Sequence, residues 1–405
     1  MKKNKNKITE KINKFFKNIK KNKTKYTMKE TILFMIITFS FGLVLGGIIM
    51  FGKGPFNSNS SSLNEFIATY NEISSFYYQD VNDDELLEAG IKGMVSYLGD
   101  PYAAYMSGES ADSFNEDVEG VYQGIGAEIK YEDEKVFIGR VFEKSPAEKA
   151  GLKTGDELIK VEGNSIQGMS LNKISSLVKG EKGTEVNITI LRDNEEIDIK
   201  LKRDNVDSIS VTSEIIEKEE RKIGYIYISI FAANTYSQFE KELKSLEEKG
   251  IDSLIIDIRG NQGGYLTSVT DIISLFTKKG EAIYQLKTKD KIEIIYDKTK
   301  DERNYPIVLL VDSRSASASE VLTGALKETY KATVIGTKTF GKGKVQKVST
   351  LTNGSLVKYT YQEWLTPEGN YIDGEGIMPD VEIKYVYDEK IDNQREKAIE
   401  IILSK

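Results

Sequence analysis

A chain of 405 residues, 39% hydrophobic and 29% charged, is ordinary globular material and long enough for two or three folded units. It has no histidine and no cysteine, which excludes a Ser-His-Asp triad, an imidazole zinc site, a thiolate nucleophile and any disulfide framework. The net charge of −7 is unevenly spread: twelve lysines against Glu10 and Glu30 give the first thirty residues +10 and leave −17 for the rest.

That basic segment, 1–30, precedes an uncharged run at 31–51 of 21 residues, long enough to cross a hydrocarbon core as a helix. A cleaved signal peptide would show a shorter apolar region and a small-residue site, and none follows here. The lysine excess before the run predicts a cytoplasmic amino terminus, a single-pass location in the cell membrane, and residues 52–405 on the extracytoplasmic side. Beside a membrane span the basic tail is expected to meet anionic lipid rather than nucleic acid.

Residues 52–118 begin with a Ser/Asn-rich spacer at 55–62. Helical spacing follows: Phe66, Tyr70, Ile73, Phe76 and Tyr77, then Leu86, Leu87, Ile91, Met94 and Leu98, with Asp83-Asp84 as the cap between them. This helical lead-in reads equally as an assembly element, which keeps a homo-oligomer open, or as packing for the main domain. Residues 119–205 carry short apolar alternations, at 127–129, 136–141, 158–161, 186–191 and 197–201, with one helix at 171–178, and predict a compact β-rich module. From 206 to 405 strongly apolar strands at 223–231, 254–258, 307–311 and 333–335 alternate with helical stretches. That texture predicts an α/β domain whose chemistry comes from loops at strand ends.

Three loops of this last domain carry candidate chemistry. Asp257-Ile-Arg-Gly-Asn-Gln-Gly-Gly264 follows a buried strand, and its glycines suit either a plain tight turn or backbone N–H groups aimed at an oxyanion. Ser315-Ala-Ser-Ala-Ser-Glu320 reads as a helix start with a capping serine, its small residues leaving Ser317 approachable. Lys342 lies between Gly341 and Gly343; 336–342 imitates a phosphate loop until Gly343 replaces the Ser or Thr that would bind magnesium. Ser170-Leu-Asn-Lys173 and Lys153-Thr-Gly155 are fragments of the penicillin-recognising signature, in the wrong order and with no Ser-Asp-Asn. With imidazole and thiol absent, a serine activated by a neutral lysine is the hydrolytic chemistry left visible. A free lysine has a pKa of about 10.4, so burial would have to lower it by about 3 units for efficient base action near neutral pH.

These residues together resemble the carboxyl-terminal processing proteases, also called tail-specific proteases: Ser/Lys peptidases that carry one PDZ domain. The resemblance spans roughly 70–383. It rests on Leu98-Gly-Asp-Pro-Tyr102, Tyr122-Gln-Gly-Ile-Gly126, Ser145-Pro-Ala-Glu-Lys-Ala-Gly-Leu152, the serine and lysine loops, Thr366-Pro-Glu-Gly369 and Gly376-Ile-Met-Pro-Asp380. It implies an α+β multidomain protein: transmembrane helix, helical lead-in, β-rich PDZ domain at 119–205, and an α/β crotonase-like (ββα) protease core at 206–405. By the same resemblance Ser317 is the nucleophile, Lys342 the general base and Gln346 the group that orients the lysine, with no metal or other cofactor. Backbone N–H groups of Ala318 and of Gly263 or Gly264 make the oxyanion hole. Gln123, Gly124, Ile125 and Gly126 form the PDZ loop that takes the free C-terminus of a protein or peptide substrate. The chain departs from the family at Gln262, where proline is usual, and at Lys179-Gly180, where Arg-Gly is usual. A catalytically inactive PDZ tether is the alternative reading, and acyl-thioester chemistry, suggested by the crotonase-like fold alone, has no use for a PDZ domain.

Overall fold

The computed structural model describes residues 61–300, 303–387 and 391–404. The basic tail and the expected span at 31–51 lie outside these residues; among the described residues no helix is long and apolar enough to cross a membrane. The chain divides after Glu88 into two compact units. In the first, α1 (Ser61–Phe76) starts inside the stretch read as spacer. The second helix, α2 (Asp83–Tyr97), crosses the boundary. Its cap is Asn82 rather than Asp83-Asp84: Asn82 Oδ1 accepts the Asp84 and Glu85 N–H groups at 3.0 and 3.3 Å. The aspartates instead fill the first turn, where carboxylates complement the helix dipole.

The second unit opens with a short strand, β1 (Ala104–Met106), and a helix the periodicity did not predict, α3 (Glu109–Glu119). A β-rich module follows: β2 (Val121–Gly124), β3 (Ala127–Glu132), β4 (Lys135–Val141), α4 (Pro146–Lys149), β5 (Glu157–Val161), β6 (Asn164–Ser165), α5 (Leu171–Val178), β7 (Glu185–Arg192), β8 (Glu195–Lys202) and β9 (Asp204–Asp207). Its sheet runs β3-β4-β5-β7-β8 with β6 beside β5, while β2 pairs with β9 where the chain enters and leaves. The alternation expected at 186–191 and 197–201 is realised, Val186, Ile188, Ile190 and Leu201 turning inward onto Ile138 and Ile174. Strand β3 ends the sheet and packs near α5, so an unpaired strand edge lies beside a helix.

The core then takes β10 (Val211–Lys218), β11 (Arg221–Ile228), α6 (Thr235–Glu248), β12 (Ser253–Asp257), α7 (Leu266–Ile273), β13 (Ala282–Lys287), β14 (Ile292–Tyr296), β15 (Ile307–Val311), α8 (Ala318–Ala325), β16 (Thr333–Gly336), β17 (Lys344–Thr350), β18 (Leu356–Leu365), β19 (Val381–Glu382) and α9 (Asn393–Leu403). One ββα unit, β10-β11-α6, opens it, and single βα units follow. The main sheet runs β10-β11-β12-β15-β16-β19, parallel from β11 onward. Both faces are covered: Leu254, Ile256, Leu309 and Val311 pack on one side among residues of α6, α7 and α8, and Ile255, Val308 and Leu310 pack on the other against Ile399 and Ile402 of α9. Two-sided burial explains why these strands read as continuous apolar runs, each buried Ile or Leu contributing about 1.5–3 kcal/mol. A second, antiparallel sheet, β1-β18-β13-β14 with β17 on β18, was not legible, because strands such as β14 and β17 are largely solvent-facing and carry mixed residues. It pairs residue 104 with residue 358, strapping the start of this unit across the lysine loop's own hairpin.

Candidate active site

Three loops leave the C-terminal ends of adjacent parallel strands: the glycine loop after β12, the serine loop after β15 and the lysine loop after β16. Open α/β sheets place ligands at that edge. The loops are held together by two buried residues to which the sequence alone assigns no role. Asn261 donates from Nδ2 to the Ile228 carbonyl at 3.0 Å, and its backbone carbonyl accepts the Ala316 N–H at 3.1 Å and the Ser319 hydroxyl at 2.8 Å. Glu320, fully buried, accepts four donors. Its Oε1 takes the Thr339 hydroxyl at 2.6 Å and the Gly341 N–H at 2.7 Å; its Oε2 takes the Ser317 N–H at 2.9 Å and the Lys342 N–H at 2.8 Å. The backbones of Ser317 and Lys342 thus meet on one carboxyl oxygen. The Ser317…Glu320 spacing is a capping-box signature that was there to be read.

Of the three serines in the loop, two are spent. Ser315 Oγ donates to the Ile258 carbonyl at 2.9 Å and accepts the Asp312 N–H at 3.0 Å, and Ser319 Oγ is held by Asn261. Ser317 is half-buried and has φ 55° and ψ −113°, a region that a residue with a Cβ adopts only under constraint. Gly263 presses on this turn: a Cβ there would stand 2.7 Å from the Ala316 carbonyl oxygen and 2.9 Å from Ser317 Cβ. The two candidate glycines also part company. The Gly263 N–H is taken by Asn261 Oδ1 at 2.8 Å, whereas the N–H groups of Gly264 and Ala318 have no acceptor among the described residues.

The lysine loop is fixed by its neighbours. Gly343 donates to Asp373 Oδ1 at 3.0 Å, and a Cβ on it would meet Asp373 Cβ at 2.8 Å, so the flanking glycine is required by close approach. Trp364 Nε1 donates to the Lys342 carbonyl at 2.9 Å. The Lys342 amine lies 4.7 Å from the centre of the Tyr102 ring. Burial pushes its pKa below the ordinary lysine value and the charge of Lys358 adds to that, against the opposing pull of Glu320 and Asp100. Gln346, on β17, does not hydrogen-bond Lys342 here; its amide donates to Thr360 Oγ1 across the strand pair at 3.4 Å.

In the β-rich module the four predicted loop residues have different surroundings. Gln123 is occupied, its side chain accepting the Lys182 N–H at 2.8 Å and its carbonyl the Gly180 N–H at 3.3 Å. The carbonyls of Ile125 and Gly126 accept Ala147 and Phe142 N–H groups, while their own N–H groups have no acceptor among the described residues. Gly124 pairs with Asp204, and a Cβ on it would stand 3.8 Å from Lys179 Cα at the end of α5. That lysine pairs with Glu116 of α3 at 2.7 Å and lies 5.1 Å from the centre of the Tyr122 ring, whose hydroxyl burial pushes up to about 12.

Residues 222–383 match Peptidase family S41, residues 123–202 match a PDZ domain, and residues 52–110 match the N-terminal domain of the activating protease CtpB. A "Probable CtpA-like serine protease" of Staphylococcus aureus is 39% identical over 334 residues, 82% of this chain and 66% of that protein. The chain belongs to peptidase family S41. A Staphylococcus epidermidis protein with the same description is also 39% identical, over 80% of this chain and 66% of its own length. The chain therefore spans about two thirds of the curated relatives it matches. A Bacteroides fragilis protein assigned to the S41 proteases has the same fold, with TM-score 0.51 and 16% identity over 87% of this chain and 99% of that one.

Proposed function

We propose that this S41 chain is a membrane-anchored serine endopeptidase that acts outside the cytoplasm, captures protein C-termini on its PDZ domain and cleaves through a Ser317–Lys342 dyad. The observation that carries this reading is the convergence of the Ser317 and Lys342 backbones on the Glu320 carboxyl group, beside the only loop serine whose hydroxyl is not committed to the fold. Lys342, its amine neutral, removes the Ser317 proton as Oγ attacks the scissile carbonyl, then returns a proton to the leaving amine. The Ala318 and Gly264 N–H groups receive the oxyanion, Gly263 serving instead to shape the turn. Gln346, whose amide donates to Thr360 of the neighbouring strand, makes no bond to the amine and belongs to the hairpin that follows the lysine. In the PDZ domain the Ile125 and Gly126 N–H groups take the terminal carboxylate while the substrate adds as a strand to the β3 edge.

Ser317→Ala should abolish cleavage of an unfolded protein substrate by the full-length chain while leaving its thermal melting near wild type, since losing one hydroxyl opens little cavity. Lys342→Arg should be as inactive as Lys342→Ala, because a guanidinium is not deprotonated near neutral pH. Wild-type turnover in either Ser317→Ala or Lys342→Arg would reject the dyad and favour a tether or another serine.

A further inference from the structure

The Lys342 amine makes no hydrogen bond and no ion pair among the described residues; Glu320, the carboxyl group nearest to its backbone, is already saturated by four donors. Its aromatic partner among the described residues is the face of Tyr102, 4.7 Å away at the ring centre. That ring is held in place with some care. Asp100 accepts the Tyr102 N–H at 2.9 Å through Oδ1 and the Thr360 N–H of β18 at 3.2 Å through Oδ2, fixing the turn and tying it to the lysine hairpin. Immediately afterwards β1 pairs with β18, Ala104 opposite Lys358 and Met106 opposite Leu356, and Tyr105 reaches the Ser355 hydroxyl at 3.0 Å. The turn is therefore clamped on both sides of the ring, at the strand pair that also carries Gln346.

We propose that Tyr102 is a positioning residue for Lys342: its ring walls the amine from water and fixes its place beside Ser317. The inference rests on Lys342 acting as the base. An aromatic face attracts the protonated amine, and the same ring displaces the water that would solvate that charge. The charged groups facing the amine are Lys358 on β18, Glu320 on α8 and Asp100 in the turn itself, and their effects oppose one another. Exclusion of water prevails, since the amine is held below the ordinary lysine range despite two carboxyl groups and an aromatic face that favour its charged form. A group drawn from the segment ahead of the PDZ domain thus completes the dyad, and the hydroxyl of Tyr102 is not needed for it.

The test is the pH dependence of kcat and KM for the full-length chain on an unfolded protein substrate, in wild type, Tyr102→Phe, Tyr102→Leu and Tyr102→Trp. Tyr102→Leu should lose kcat near neutral pH with KM little changed, recover toward alkaline pH, and show its acidic limb displaced upward by about one unit, equal to about tenfold in rate on that limb. Tyr102→Phe, which keeps the ring face, should follow the wild-type limb. Tyr102→Trp should leave the limb at or below wild type, and keeps the proposal exposed where the leucine variant does not fold. A leucine variant with the wild-type limb, a phenylalanine variant as impaired as leucine, or a tryptophan variant with a raised limb would overturn it. Ser317→Ala and Lys342→Ala are measured alongside: if both are inactive, such a result removes only the role of Tyr102, whereas activity in either removes the dyad itself.

Discussion

At Ser317 a positive φ and an uncommitted hydroxyl coincide, and both trace to neighbours. Gly263 leaves the turn room, Asn261 and Glu320 hold its two ends, and Ser315 and Ser319 have been absorbed by the same network. The buried lysine has a thermodynamic consequence separate from catalysis. The unfolded chain holds the Lys342 proton more tightly than the folded chain does, so at low and neutral pH burial of the ammonium costs stability, and the cost fades as pH rises toward the unfolded value of about 10.4. Lys342→Met should therefore melt above wild type at pH 7, with the gap closing by about pH 10–11. A methionine variant that melts no higher than wild type at pH 7 would show that burial of this charge is not a net cost. The residue types at 317 and 342 were legible because, with no histidine or cysteine, few other groups remain to do hydrolytic chemistry. Glu320 was harder to see: it looks like the ordinary third position of a capping box, and only the arrival of the lysine loop from a different strand gives its Oε1 and half of its Oε2 another purpose.

Among the elements, β3 and α5 are the ones that the proposed function makes responsible for substrate choice. An exposed strand edge beside a helix accepts an extended peptide through main-chain hydrogen bonds, and the adjoining loop has two N–H groups left for a terminal carboxylate. Amidating a substrate's C-terminus should cost about 1–3 kcal/mol in the cleavage step or in apparent affinity, read by comparing free and amidated forms of one protein substrate. Equal rates would remove tail recognition and leave the dyad untouched. Elements with clean periodicity, α5 and the buried strands of the main sheet, fell within a residue or a few of where the sequence put them. The antiparallel strands β13, β14, β17 and β18 did not announce themselves: β14 and β17 bury no residue and β13 and β18 are mostly half-buried, so Lys, Gln, Glu and Thr mix with apolar residues without any fixed core side. Yet it is β18 that brings Asp100 and Tyr102 to the lysine.

For the whole molecule, the lysine excess ahead of 31–51 predicts that protease added outside intact cells digests residues 52–405 and spares the tail; protection of the catalytic part would invert the topology. What the sequence determined by itself is what depends on composition and local order: the loss of imidazole and thiol chemistry, the charge step around an apolar run, the order of the PDZ and peptidase segments, and the small-residue loops at the ends of apolar strands. What the tertiary structure decided is which of those local features meet. Gly263 and Gly264 are equivalent in the sequence, and the hydrogen bond that the Gly263 N–H donates to Asn261 Oδ1 makes them different. Ser315, Ser317 and Ser319 are equally small and equally close together, and burial against Ile258 and Asn261 leaves one hydroxyl uncommitted. Tyr102 lies far from Lys342 along the chain, and a three-residue strand pairing puts its ring beside the amine. In each case the deciding quantity is a distance or a competition for one hydrogen-bonding group between segments remote in sequence, and a linear pattern carries no record of either.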